Sequence, residues 1–190
     1  AALDLPHTRV LEEPVAEWEA NGLLAASYDG SLNKAVFQHA VLMSLAAPLQ
    51  RALHDPDVDL IISERSPWSN RAVFALSNLT DEQELRAYEY TFTKVLDTLC
   101  DRPVLVDFVY LELDVGVAQE RMKARGRVAE GAVSETYLAT LKRAHDALVT
   151  DRTRLSPRPL PPTCALHVHS IDASRGPDAI FAELREFVRP

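Results

Sequence analysis

The chain has 190 residues and a mass of 21.1 kDa, with 47 % hydrophobic and 25 % charged residues. Those proportions exclude a disordered or fibrous chain, and the length suffices for one domain with a substantial core. A formal net charge of -8 and a pI near 5.2 argue against a general nucleic-acid binder or a membrane-surface protein, because an acidic surface repels phosphate backbones and anionic lipid.

Residues 8–12 form a short β-prone segment that ends at Glu13-Pro14. A long helix is predicted over 33–54, where Phe37, Ala40, Val41, Leu45, Leu49 and Leu53 recur at three and four. Residues 59–63 are nearly all apolar and predict a strand buried on both faces. Helices follow at 71–79 and 81–99, the second opened by a Thr80-x-x-Gln83 capping box. A second buried strand spans 104–113, with amphipathic helices at 115–126 and 134–149. The Pro-rich stretch 156–162 can only be a loop. A third strand at 165–171 and a closing helix at 177–188, with Pro177 in its first turn, complete the pattern.

Alternating strands and helices with apolar strands predict an α/β fold in three layers, a parallel sheet flanked by helices, as one domain over 1–190. No apolar run reaches the ~20 residues of a membrane span. Cys100 and Cys164 have no paired spacing, which excludes a disulfide framework and favours a reducing, intracellular compartment. Among the six histidines only His167 and His169 can share a strand face, and with no third ligand nearby in sequence they read as structural.

In a parallel sheet the ligand crevice lies beyond the carboxyl ends of the strands. Those ends carry Glu12-Glu13, Glu64-Arg65-Ser66 and Asp114. Asp114 suits a plain helix cap, but an adjacent Glu64-Arg65 pair at a buried strand end suits metal-assisted phosphoryl transfer better. Arg121, Lys123, Arg125 and Arg127 crowd cations around the hinge Gly126, with Arg121 and Arg125 one turn apart. In an acidic protein that excess calls for an anionic partner such as a polyphosphate. Gln38 shares a stripe with Val41 and Leu45; it is either a satisfied core amide or the reader of a ligand edge.

The motifs Glu13-Pro14-Val15-x-x-Trp18, Phe37-Gln38, Glu64-Arg65-Ser66-x-x-Ser69-x-Arg71 and Arg121-x-x-x-Arg125-Gly126-Arg127-x-x-Glu130 occur in the order and approximate spacing of the cellular deoxynucleoside kinases. The chain resembles that family from about Val10 to its C-terminus. The resemblance implies a P-loop kinase fold, ATP as phosphate donor, Mg2+, a deoxynucleoside substrate and a homodimer formed through the long helices. It makes Glu13 the base for the nucleoside 5′-hydroxyl, Arg65 the group that holds the 5′ end and the transferring phosphoryl, and Glu64 a Mg2+ ligand. Gln38 would read the pyrimidine edge between Trp18, Phe37 and Phe74, while Tyr28 and Glu130 would grip the sugar 3′-hydroxyl. Arg121, Arg125 and Arg127 would form a lid, within about 121–134, over the ATP phosphates.

Deoxycytidine-type members carry Arg where Leu45 stands and Asp where Asn70 stands, and Val41 resembles the thymidine-accepting branch. The uncharged wall implies thymidine, with deoxycytidine second. A thymidylate kinase is the weaker match, since such enzymes carry an Asp-Arg pair at the second strand.

A phosphate-cradling loop reads Gly-x-x-x-x-Gly-Lys-[Ser/Thr], and no Gly-Lys dipeptide occurs in the sequence. Two expectations compete. One places the first strand and its loop upstream of Ala1, with residues 3–5 as the tail of the following helix; any mitochondrial address would lie there too, leaving cytoplasm and mitochondrion both open. The other is an inactive scaffold like the deoxynucleoside kinase-like accessory subunit of respiratory complex I. Retention of Glu13, Arg65 and the lid arginines favours the enzyme.

Overall fold

The computed structural model describes residues 6–127, 130–131 and 133–187. The expected helix tail at 3–5 and Val188 of the closing helix lie outside the described residues, as do 128, 129 and 132 of the expected lid. The strands are β1 (Thr8–Leu11), β2 (Leu60–Ser63), β3 (Val104–Glu112) and β4 (Cys164–Asp172). The helices are α1 (Val15–Ala20), α2 (Leu23–Asp29), α3 (Lys34–Leu53), α4 (Pro67–Ser69), α5 (Leu76–Asn78), α6 (Glu82–Leu99), α7 (Val115–Arg125), α8 (Glu135–Thr150) and α9 (Pro177–Phe187). Among the described residues no helix is long and apolar enough to cross a membrane.

β1 pairs in parallel with β2, and β3 in parallel with β4, as two separate ladders. The expectation of strands buried on both faces is corrected here. Burial alternates along β3, with Val106 and Phe108 packed on the core while Leu105 is 62 % exposed, and Val10 on β1 is 61 % exposed. With two strands to a ladder, one face of each strand meets the core helices and much of the other meets solvent. α8 covers one face of β3–β4, through Leu166 and Val168, and α9 lies on the opposite face.

The core is centred on α3 and α6. Leu42, Ala46 and Leu49 of α3 meet Tyr88, Phe92, Leu96 and Leu99 of α6, and Trp68 and Val73 fill the space between them and the strands. Asn33 caps α3 by accepting from the Ala35 and Val36 amides. The predicted Thr80 cap of α6 is displaced by one residue: Asp81 accepts from the Gln83 amide at 2.8 Å and the Glu84 amide at 3.0 Å. A carboxylate is the stronger acceptor at a helix N-terminus. α1 and α2 were not predicted, because each is about two turns or less and Gly22, at φ 71°, breaks the apolar period between them.

The predicted helix at 71–79 is also corrected. After α4 the chain widens into a π-turn over Asn70–Ala75 before resuming as α5. The wider turn buries Asn70 and Arg71 on neighbouring sides of the backbone, an arrangement often found beside functional sites. Arg71 donates through Nε to both Glu89 carboxylate oxygens, at 3.0 and 2.8 Å, and through Nη1 to the Arg154 carbonyl. Arg154 returns the contact by donating to the Ala72 carbonyl at 3.0 Å. This clamp ties the π-turn to α6 and to the short 3-10 turn Arg152–Leu155.

Because Arg71 is only 6 % exposed, removing Glu89 leaves a buried charge without its counter-ion. Glu89→Ala is expected to lower unfolding stability in urea by roughly 3–5 kcal/mol. A loss below about 1 kcal/mol, the range of an exposed pair, would show that the clamp is dispensable.

Candidate active site

Leu11 and Ser63 are register partners at the carboxyl ends of β1 and β2, so the chain leaves the ladder twice at one point. Glu13 follows the first exit and Glu64-Arg65 the second. Arg65 adopts a left-handed φ of 63°, a conformation that costs a side-chain-bearing residue about 1–3 kcal/mol. Two contacts hold it there. Ser63 Oγ donates to the Arg65 carbonyl at 2.8 Å, and Ser66 and Ser69 form a reciprocal capping box at the start of α4.

Bent back in this way, the guanidinium is held on three sides. Nη1 donates to Glu13 Oε1 in a part-buried ion pair, and Nη2 donates to Asn70 Oδ1 at 2.8 Å. The Arg65 plane lies over the Phe74 ring, with Cζ 3.7 Å from its centroid. Nε of Arg65 is buried with no partner among the described residues. Asn70 is itself fully buried; its Nδ2 donates to the Tyr88 hydroxyl at 2.9 Å and approaches the Gln38 carbonyl at 3.5 Å.

These groups open onto a cavity of about 420 Å³, a size that suits a small ligand. Glu13, Trp18, Tyr28, Phe37, Gln38, Val41, Glu64, Arg65, Phe74, Arg125, Arg127 and Glu130 all line it. Gln38 is 4 % exposed, and its Oε1 has no hydrogen-bond partner among the described residues. Trp18 and Phe37 meet edge to face at 6.0 Å beside it, and Trp18 is fixed by donating from Nε1 to Ser44 Oγ at 3.1 Å. Burial, with Tyr137, Glu130 and Glu13 nearby, pushes the Tyr28 phenol up to about 12, so it remains a donor at neutral pH.

Three of the predicted residues lie elsewhere. Leu45 sits behind the wall, packed with Trp18, Leu24 and Val41. Asn70 lies beneath the floor as the partner of Arg65. Arg121, one turn before Arg125 on α7, donates to the Ala173 carbonyl just past the carboxyl end of β4 at 3.0 Å and does not line the cavity. Arg125 makes a bidentate contact with Glu130 at 2.9 and 2.8 Å, and Arg127 joins the same carboxylate at 3.3 Å. Asp114 caps α7 by accepting from the Gly116 amide at 2.8 Å, and Gly126 closes that helix at φ 69°.

The cavity also draws on residues that the motifs did not single out. Tyr137, Leu138 and Leu141 of α8 form its far wall, and Asn78 donates to the Tyr137 hydroxyl at 3.2 Å. The i, i+4 pair Tyr137 and Leu141 was visible as one helix face, but nothing in the sequence set it apart from core. A larger hollow of about 640 Å³ lies on the other side of Trp18, between β1, α1 and α3. It contains Glu12 but neither the Glu13–Arg65 pair nor Gln38, so the chemistry gathers in the smaller cavity.

Parallel strands whose carboxyl ends open on an acid–arginine pair, an unpartnered amide and a cationic turn define an α/β protein built for phosphoryl transfer to a small ligand. The chain belongs to the deoxynucleoside kinase family, which it matches over residues 4–189, and its fold is accordingly the P-loop kinase fold. Among its relatives is protein 029R of Invertebrate iridescent virus 3, provisionally named a kinase, 30 % identical over 76 % of this chain and 72 % of that protein. The similarly named 143R of Invertebrate iridescent virus 6 is 30 % identical over 77 % of this chain and 70 % of its own length. Deoxycytidine kinase 2 of Gallus gallus is 27 % identical over 76 % of this chain and 64 % of that enzyme.

Asn70→Ala removes the acceptor for Arg65 and the donor to Tyr88 from a fully buried position. The expected loss is roughly 1–3 kcal/mol in urea unfolding, the cost of leaving a buried polar group unpaired. An unchanged midpoint would show that Arg65 does not depend on this amide.

Proposed function

We propose that the chain is one kinase domain that transfers the γ-phosphoryl group of ATP to the 5′-hydroxyl of a deoxyribonucleoside in nucleotide salvage, with a pyrimidine preferred. The observation that carries this reading is Gln38, a buried amide on the wall of the cavity that holds the Glu13–Arg65 pair, whose Oε1 has no hydrogen-bond partner among the described residues. A buried acceptor without a partner costs about 1–3 kcal/mol, and a base edge bearing an N–H would satisfy it. One primary amide can meet either pyrimidine. Thymine offers N3–H to Oε1 and O4 to the amide N–H; for cytosine the amide rotates, takes N4–H on Oε1 and donates to N3.

The wall favours thymine. Val41 presents an apolar surface to the cavity that would suit the thymine methyl, and Leu45, packed behind it, places no charge there. Thymidine is therefore assigned first and deoxycytidine second. Tyr28 and Glu130, both on the cavity wall, would hold the 3′-hydroxyl as donor and acceptor.

In the reaction the 5′-oxygen forms a bond to the γ-phosphorus as the bond from that phosphorus to the β,γ-bridging oxygen breaks. Glu13 accepts the hydroxyl proton, and Arg65 answers the charge on the phosphoryl oxygens. Glu64, exposed at the mouth, would hold Mg2+, which supplies further charge neutralisation when bound. Arg125 and Arg127 would pass from Glu130 to the ATP phosphates, and Arg121, tied to Ala173, would anchor the base of the lid.

The homodimer is assigned to the long helices, whose exposed Val36, Met43 and Tyr90 are available for contact. A scaffold gains no support from the cavity, since it has no use for an unpartnered amide beside a part-buried acid–arginine pair.

On the natural full-length protein, Glu13→Gln is expected to cut kcat by about 10²–10⁴ while thymidine affinity stays within a few-fold. A near-normal kcat would remove Glu13 from the reaction. In a nucleoside panel, kcat/KM is expected to fall from thymidine through deoxycytidine to deoxyguanosine, and equal or better use of deoxyguanosine would overturn the pyrimidine assignment.

A further inference from the structure

The sequence placed His167 and His169 on one strand face with no third ligand, and the sheet corrects that. The parallel register sets Asp107 of β3 directly opposite His167 of β4, one pleat from His169. Asp107 Oδ1 lies 2.9 Å from His169 Nε2 and 3.2 Å from His167 Nδ1. One atom from each of the three side chains falls within a sphere of mutual distances no greater than 4.8 Å. We propose that Asp107, His167 and His169 form a binding site for a divalent transition-metal ion of the zinc class.

The chemistry of the donor set selects the ion. Two imidazole nitrogens and one carboxylate oxygen suit Zn2+, Ni2+ or Cu2+, whereas Mg2+ and Ca2+ take oxygen ligands. At bond lengths of about 2.0–2.1 Å, two ligand atoms on a tetrahedral ion are roughly 3.3–3.4 Å apart. The Asp107–histidine separations of 2.9 and 3.2 Å are within a few tenths of an ångström of that spacing.

The ladder makes the set stiff. Cross-strand and diagonal neighbours on one sheet face are fixed by register, so three ligands from two strands arrive already aligned. His169 is further held by the Phe187 ring of α9, 4.4 Å away between centroids. The side chains are between 31 % and 52 % exposed, which gives the ion an entry path and leaves a fourth position for water. A simple bifurcated contact from two imidazoles to one carboxylate is the competing account of the same distances.

None of the three residues lines the nucleoside cavity, so the site stands apart from the proposed reaction. Bound metal would clip β4 to β3 and stiffen the half of the fold that carries α7 and α8. Asp101 beside His54, at 3.2 Å, is the internal control: an imidazole and a carboxylate with no second histidine.

The test is calorimetric titration of Zn2+ into the full-length protein after chelator treatment. One equivalent is expected to bind, and His169→Ala and Asp107→Ala should each weaken it at least about tenfold. His54→Ala and Cys100→Ser should leave it unchanged, the latter because Cys100 faces Cys164 in the core and is the other soft-ligand pair. Melting curves without metal should coincide for wild type and the two site variants, with Zn2+ raising the midpoint of wild type alone. No saturation by about 1 mM Zn2+, or equal affinity in the site variants, would overturn the assignment. Loss of binding in His54→Ala or Cys100→Ser in place of the site variants would overturn it equally.

Discussion

The contact between Glu13 and Arg65 is the constraint around which the cavity is organised. It joins the two strand exits, and it exists only because Arg65 takes a left-handed backbone that no ordinary helix start would need. The strain is repaid locally by the serine caps, the Asn70 amide and the Phe74 ring. Without those contacts Arg65 would have no reason to turn toward the carboxylate. The π-turn that follows is part of the same device, since it brings Asn70 under the guanidinium while Arg71 clamps the turn to α6.

Around that pair the cavity divides by chemistry. Charge gathers at the mouth, where Glu64, Arg125, Arg127 and Glu130 meet solvent or one another. Trp18, Phe37, Val41 and Phe74 give the rest of the wall an aromatic and aliphatic character, and among them stands Gln38, whose oxygen has no partner among the described residues. A ligand with a polar, phosphorylatable end and a flat hydrogen-bonding end matches both halves. Glu130 holds Arg125 and Arg127 while it faces the cavity, so the two cations are gathered at the mouth by one carboxylate.

Much of this was legible in the residues, and for identifiable reasons. Glu64-Arg65-Ser66 announces a strand end and a charge in one run, and the structure uses both, adding a Ser66–Ser69 cap that the motif did not reveal as one. Gly126 marks a helix end because only glycine enters the left-handed region freely. What was hidden depended on tertiary placement. Asn70 reads as a pocket residue until the π-turn rotates it beneath Arg65, and Arg121 reads as a lid residue until Ala173 claims it. The meeting of Asp107 with His167 and His169 is set by register between strands about sixty positions apart, which no local pattern encodes. The exposed faces of β1 and β3 belong to the same class, because an apolar run says that a strand is buried but not on how many sides.

The central claim is that this cavity holds a deoxynucleoside with its 5′ end at the acid–arginine pair. A crystal structure of the full-length protein with thymidine tests it most directly. The account places the 5′-oxygen within hydrogen-bond reach of the Glu13 carboxylate and the N3–O4 edge of the base on the Gln38 amide. Thymidine bound in the hollow on the far side of Trp18, or lying with its base toward Arg65, would contradict it.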